Sequence, residues 1–268
     1  MFPFFHSSIP EFPIGNQPLT DHHAALGKPF QIREDAWIDP SELAQLDAQG
    51  TGCLVDPEGT PLAWWGDTAD TIHSITANAS FIIRYPWDLL RANEQHVGSL
   101  DSHSIKGEVH PHAVIEGALH LGTGSRLLPG VYIEGKVVIG DHCKIGPNCY
   151  IRGNTSIGHR CHIGQSVEIK NSLILSRTNV GHLSYVGDTV IGADANLGAG
   201  TITSNFRHDG GNHRSMIQGE LVDTGRRKFG AIIGDKVHTG IHTSIYPGRK
   251  LLAGTSTLPG AIIRKDLH

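Results

Sequence analysis

The sequence predicts an all-β fold, a chain wound into triangular coils whose flat walls are parallel sheets, on three observations. Aliphatic residues recur at every sixth position without a break: Val109, Ile115, Leu121, Leu127, Ile133, Ile139, Ile145, Ile151, Ile157, Ile163, Ile169 and Leu175. Four residues after each comes a second, mostly small or apolar column, running from Ala113 and Leu119 through Cys143, Cys149 and Cys161 to Val167 and Leu173. Glycine follows the aliphatic position at Gly122, Gly140, Gly146, Gly158 and Gly164, which suits corners where a Cβ would crowd its neighbour. A period of six fits neither the 3.6 of a helix nor the alternation of a flat strand. It fits a chain that turns a corner every six residues, with successive coils stacked at roughly 4.8 Å.

This is the pattern of the left-handed parallel β-helix of hexapeptide-repeat proteins. Composition agrees, since 33 glycines and only 6% aromatic residues disfavour a helical bundle. With 22 basic against 26 acidic residues, nothing in the charge balance suggests a surface for nucleic acid or an anionic membrane. No apolar run approaches the roughly 20 residues that span a bilayer. The start, Met1-Phe-Pro-Phe-Phe-His, lacks the basic flank and cleavage site of a secretory signal, so a cytoplasmic location is expected.

Ahead of the repeat lies a small mixed region, residues 1–84. Its first 40 or so residues, rich in Pro, Phe and His, read as irregular. A short helix is predicted over Pro40 to Leu46, capped by Asp39 or Ser41. The runs Gly52–Val55 and Leu62–Trp65 around Asp56-Pro57-Glu58-Gly59 predict a β-hairpin, with Trp64 and Trp65 covering a small core. Residues 85–104 read as a connecting helix and linker. Pro86 opens the helix, and Leu89, Leu90 and Asn93 share one face. The β-helix then occupies 105–268.

Within it the register slips by one between Leu175 and Val180, and again before Ile191. These slips flank His182 in sequence, and broken local rules often mark functional positions. The hexads stop after Thr203, a polar loop occupies about 204–229, and the repeat resumes at Ile233. Cys143, Cys149 and Cys161 fall in the inward column, so they read as buried small hydrophobes rather than metal ligands. The only histidines five apart, His208 and His213, lie in the loop without a third partner, so no metal site is expected.

Residues from about Arg152 to Asn205 resemble the acetyltransferase domain of the bifunctional glucosamine-1-phosphate acetyltransferase/N-acetylglucosamine-1-phosphate uridylyltransferase family. The likeness rests on Gly181-His-Leu-Ser-Tyr-Val-Gly-Asp and Asn196-Leu-Gly-Ala-Gly-Thr. Gly225-Arg-Arg-Lys-Phe-Gly-Ala-Ile-Ile-Gly and Tyr85-Pro-Trp-Asp-Leu-Leu-Arg-Ala-Asn are similar to archaeal sugar-1-phosphate nucleotidyltransferases that also acetylate amino sugars. The family's nucleotidyltransferase domain has no counterpart between Met1 and Ser80. Uridylyl transfer is therefore not expected, and would fall to a separate nucleotidyltransferase.

The resemblance implies acetyl transfer from acetyl-CoA, with no metal, to the amine of a hexosamine 1-phosphate such as glucosamine 1-phosphate or galactosamine 1-phosphate. His182 would be the general base, an imidazole titrating near neutrality. The backbone N–H of Ala199 would meet the oxyanion and contact the cofactor together with Ile241, which stands where bacterial members carry a serine. Arg152 and Lys170 match the phosphate-binding positions, and Tyr185, Asn196 and Asn205 the sugar- and amine-positioning ones; Glu168 would orient a partner. Where bacterial members follow with a short turn bearing a lysine, Phe206 here opens a longer loop, so Lys228, beside Arg226 and Arg227, is the candidate replacement. The resemblance also implies a homotrimer with acetyl-CoA bound between subunits. Two other readings stay open: a hexapeptide acyltransferase using another acceptor, and a non-catalytic β-helix that binds sugar nucleotides or regulates.

Overall fold

A computed structural model describes residues 4–27, 30–49, 52–66 and 73–268. The chain divides into two compact units, one made of residues 4–6, Ile14–Asn16 and Leu89–His268, the other of Ser7–Pro13 and Gln17–Asp88.

The larger unit is the left-handed β-helix. Its first wall is a seven-stranded parallel sheet from Glu108–Val109 to His238–Thr239. The second and third walls share one 13-stranded sheet, because Val114–Leu121, Tyr132–Ile139 and Tyr150–Ile157 run through the corner between them without a break. Beyond those long strands the second wall continues through Glu168–Lys170, Tyr185–Gly187, Ile202–Thr203, Ser244–Ile245 and Ile262–Ile263. The third continues through Leu173–Ile174, Val190–Ile191, Ala231–Ile233 and Arg249–Leu251.

The aliphatic column forms one continuous core from Leu119 to Leu251, with Ile133, Ile145, Ile151, Ile163 and Ile169 fully buried. The three inward cysteines join it, and burial pushes the Cys149 thiol up to about 12, as suits a small hydrophobe rather than a reactive thiolate. At Gly164 an added Cβ would lie 1.9 Å from the Gly181 carbonyl oxygen of the next coil, so this corner admits no side chain.

One feature of the register differs from expectation. Ile157 stacks on Ile174, which enters the core, and Leu175 does not. The first slip therefore lies at Asn171, before Leu173, rather than after Leu175. Asn171 and Asp188 turn the corner between the second and third walls with φ 47° and 49°. Ile169 to Ile174, and Val186 to Ile191, are each one residue shorter than Ile151 to Ile157. Asn and Asp tolerate this left-handed conformation better than other side chains. Both slips thus stack at one corner, and it is not the corner that carries His182.

The loop after Asn205 is ordered. It contains an antiparallel hairpin, Arg214–Ile217 with Glu220–Asp223, closed by Gln218 and Gly219, both at positive φ as a tight two-residue turn requires. Buried Lys250 donates to Ser215 Oγ and the Met216 carbonyl and pairs with Asp266 at 2.6 Å, which ties the hairpin to the coil beneath.

The helix after Tyr85 runs Pro86–Gly98. Asp88 accepts the N–H groups of Arg84 and Tyr85 at its start. Asn93 on its buried face accepts from Ser156 Oγ at 2.6 Å and donates to the Asn154 carbonyl, so part of the third wall is covered by this helix.

The smaller unit holds a four-stranded sheet in which Cys53–Val55 and Pro61–Trp65 pair antiparallel and Trp65 packs on a core of Leu43, Leu46, Leu54 and Leu62. Its helices are Leu19–Ala25 and Pro40–Gln49. The first of these, with the short strands near it, falls in the stretch expected to be irregular. It buries only Leu19, too little for a periodic signal. Among the described residues no helix is long and apolar enough to cross a membrane.

Candidate functional site

The second wall gathers four of the candidate side chains because its strands stack in parallel register. Arg152 lies beside Lys170, and Tyr185 occupies the column of Tyr150 and Glu168. Asn205 follows the next strand, and its Nδ2 donates to Tyr185 Oη at 3.0 Å. Gly187 makes this contact possible, since a Cβ there would lie 2.5 Å from Tyr185 Oη and 2.6 Å from Asn205 Nδ2.

Both cations of this wall are already paired. Arg152 donates to Glu168 Oε1 at 2.8 Å, and Lys170 Nζ stands 2.9 Å from Asp188 Oδ2. Asp188, with its side chain 2% exposed, also accepts from Asn171 and Asn205, so one buried carboxylate holds three side chains of the wall. Asn171 donates in turn to Glu94 of the Pro86–Gly98 helix, which also holds Arg226 of the inserted loop through both carboxylate oxygens. Burial first, then the charges of Asp188 and Glu168, push the Tyr185 phenol above its ordinary range.

His182 sits at the corner where the chain leaves the first wall for the second. Gln165 stacks beneath it; Gly200 donates to its carbonyl oxygen at 3.1 Å, and His242 donates to that of Ala199 at 2.8 Å. The corner column therefore runs Gln165, His182, Ala199, Ile241. The imidazole is exposed, and among the described residues nothing hydrogen-bonds to its ring. The Ala199 N–H likewise meets no acceptor among the described residues. Ile241 is 51% exposed and Leu183, beside His182, 63%, so an apolar ridge borders the imidazole. His162, on the first wall, is held below its ordinary pKa by burial and by the charges of Lys144 and His182.

The structure thus brings Arg152, Lys170, Tyr185 and Asn205 together, and sets His182, Ala199 and Ile241 on the adjoining edge. It does not bring Asn196 to them: that residue faces outward on the first wall between Asn179 and His238. Lys228 lies near Asn205, its Nζ 3.8 Å from the centre of the Phe206 ring. Arg226 is committed to Glu94, and Arg227 donates to the Gly210 carbonyl. Sequence reasoning missed Asp188, Glu94 and Arg226 as a linked group. The signal for Asp188 was available in the two register slips, once both are placed at one corner. Among the described residues no three His, Cys, Asp or Glu side chains converge to hold a metal ion.

Residues 133–248 match the family model described as the GMPPB C-terminal domain. The chain is 39% identical over 182 residues to the bifunctional sugar-1-phosphate nucleotidylyltransferase/acetyltransferase of Sulfurisphaera tokodaii, covering 68% of this chain and 45% of that protein. It is 48% identical over 200 residues to the bifunctional protein GlmU of Methanococcus maripaludis, covering 74% and 48%. The resemblance read from the sequence is borne out. The chain spans about half the length of these bifunctional relatives. Among solved structures, the polysialic acid O-acetyltransferase OatWY matches with 20% identity and a TM-score of 0.31, over 62% of this chain and 80% of that one.

Proposed function

We propose that this chain is an acetyl-CoA-dependent N-acetyltransferase acting on an amino-sugar 1-phosphate, glucosamine 1-phosphate or galactosamine 1-phosphate. The observation that carries this reading is the exposed imidazole of His182, without a hydrogen-bond partner among the described residues, beside a wall bearing Arg152, Lys170, Tyr185 and Asn205. The name of the Sulfurisphaera tokodaii relative, which includes acetyltransferase, supports it. In the reaction the substrate amine attacks the thioester carbonyl, and His182 accepts the proton that the nitrogen loses. The Ala199 N–H points its free donor at the oxyanion. The intermediate collapses by breaking the C–S bond, and the leaving thiolate takes up the proton. Ile241 and Leu183 form the apolar edge along which acetyl-CoA lies.

Arg152 and Lys170 receive the phosphate dianion by exchanging part of their pairing with Glu168 and Asp188, and Lys228 adds a third cation. Asn196, on a different wall from the rest, completes the pocket of a neighbouring copy in a homotrimer. The pairing of both wall cations favours a second reading, an acyltransferase whose acceptor carries no phosphate.

Thiol release from acetyl-CoA with glucosamine 1-phosphate, galactosamine 1-phosphate and glucosamine tests both. Turnover with a phosphorylated sugar alone supports the first reading, and equal turnover with glucosamine selects the second. His182→Ala should lower kcat by about 10²–10⁴-fold. A variant as fast as the parent would mean that the base is another group.

A further inference from the structure

One buried imidazole takes no part in the acetyl-transfer chemistry. His213 stands just before the Arg214–Ile217 strand of the inserted hairpin and is 2% exposed. Its Nε2 lies 3.1 Å from the Asn205 carbonyl oxygen, and since a carbonyl only accepts, Nε2 carries the proton. The Phe229 N–H donates to the same oxygen at 3.0 Å, so two parts of the inserted loop hold the Asn205 backbone. His213 is itself tied into that loop. Its N–H donates to the Arg226 carbonyl at 2.8 Å, and its carbonyl accepts from the Thr224 N–H at 3.0 Å. Its ring meets that of Phe229 edge to face, with centres 6.4 Å apart.

Asn205 therefore sits where two sets of contacts meet. Tyr185 and Asp188 fix its side chain from the second wall, while His213 and Phe229 fix its backbone from the loop. On the reading of the second wall as the acceptor site, we propose that neutral His213 is a positioning residue for the acceptor, anchoring Asn205 to the loop that carries Lys228, and that its protonation releases this anchor. The charges around it oppose a second ring proton. Arg207, Arg214, Arg249 and Arg264 line the same hollow, and Asp188 is the carboxylate whose charge reaches the ring. Burial first, then the Arg207 charge, lower the imidazole below its ordinary pKa, against the backbone bonds to Asn205 and Arg227 and the charge of Asp188. The closed loop thus binds fewer protons than the opened one. Anchoring is complete above the unfolded value of about 6.5 and is lost as pH falls toward the folded value.

Acceptor KM and kcat, measured from about pH 8 to 5.5 in the parent, His213→Gln and His213→Phe, provide the test. Gln keeps an amide donor where Nε2 stands and does not titrate; Phe keeps a ring and loses the donor. At about pH 8, His213→Phe should raise the acceptor KM at least about fivefold with kcat changed less than about twofold, and His213→Gln should recover most of that KM. As pH falls, the parent KM should climb about tenfold more than that of His213→Gln; the acceptor phosphate's own titration is common to both and cancels. Matching thermal midpoints exclude loss of fold as the cause. Amide exchange gives a readout independent of turnover: protection of the Thr224 and Phe229 N–H groups should fall about tenfold between about pH 7.5 and 5.5 in the parent and hold in His213→Gln. Such a His213-dependent loss supports the anchor even where no sugar phosphate turns over, a result that instead overturns the acceptor assignment. Equal loss of protection in the parent and His213→Gln, or an acceptor KM in His213→Phe equal to the parent's, would overturn the proposal.

Discussion

The two corners that bound the second wall are built on opposite plans. At the first, Gln165, His182, Ala199 and Ile241 stack in register, and among the described residues the imidazole and the Ala199 N–H have no partner. At the second, where each of two coils is shortened by one residue, Asn171 and Asp188 turn at positive φ and join Lys170, Asn205, Glu94 and Arg226 in one hydrogen-bonded chain. Under the proposed function, the difference separates chemistry from positioning. A group that must exchange a proton has to stay open, whereas groups that hold a shape are satisfied by one another.

The largest expected effect sets the corners against each other directly. Asp188→Ala strands the Lys170 charge and two amides around a buried site, and should destabilise the fold by about 3 kcal/mol. His182→Ala, at an exposed position, should shift stability by no more than about 0.5 kcal/mol. Urea denaturation of both variants checks this, and equal losses would erase the distinction.

A smaller effect is expected inside the second wall. Gly187→Ala would drive a methyl group against Tyr185 Oη and Asn205 Nδ2. The acceptor KM should rise about tenfold, with kcat much less affected, if those two side chains position substrate. Steady-state kinetics with varied acceptor decides it.

The smallest effect is a pH dependence. Because the Tyr185 phenol is raised in the folded chain, it ionises first in the unfolded one. Its contribution to stability is full below the unfolded value near 10 and is lost as pH rises toward the folded value. Tyr185→Phe should flatten that decline, measured as urea midpoints between about pH 9 and 11.

The hexad core was legible because burial along a stacked coil repeats at fixed spacing, and a repeat twelve members long is visible in one sequence. The hairpin within the inserted segment was not, since four-residue strands closed by Gln218 and Gly219 carry no comparable periodicity. The short helix at Leu19–Ala25 was missed for the same reason. Of the candidate site, the residue types and their coils could be read in advance, but not their partners. Lys170 and Arg152 were matched to phosphate-binding positions, and only the stacked coils set Asp188 and Glu168 beside them.

By itself, then, the sequence determined the solenoid, its inward columns and the coil on which each polar group sits, because these follow from local spacing. Only the tertiary structure decided which wall each group faces, that both slips share one corner, and that Glu94 and Arg226 meet across 132 positions of chain. Such pairings depend on where stacked coils and the inserted loop bring distant side chains, and no local pattern encodes that distance.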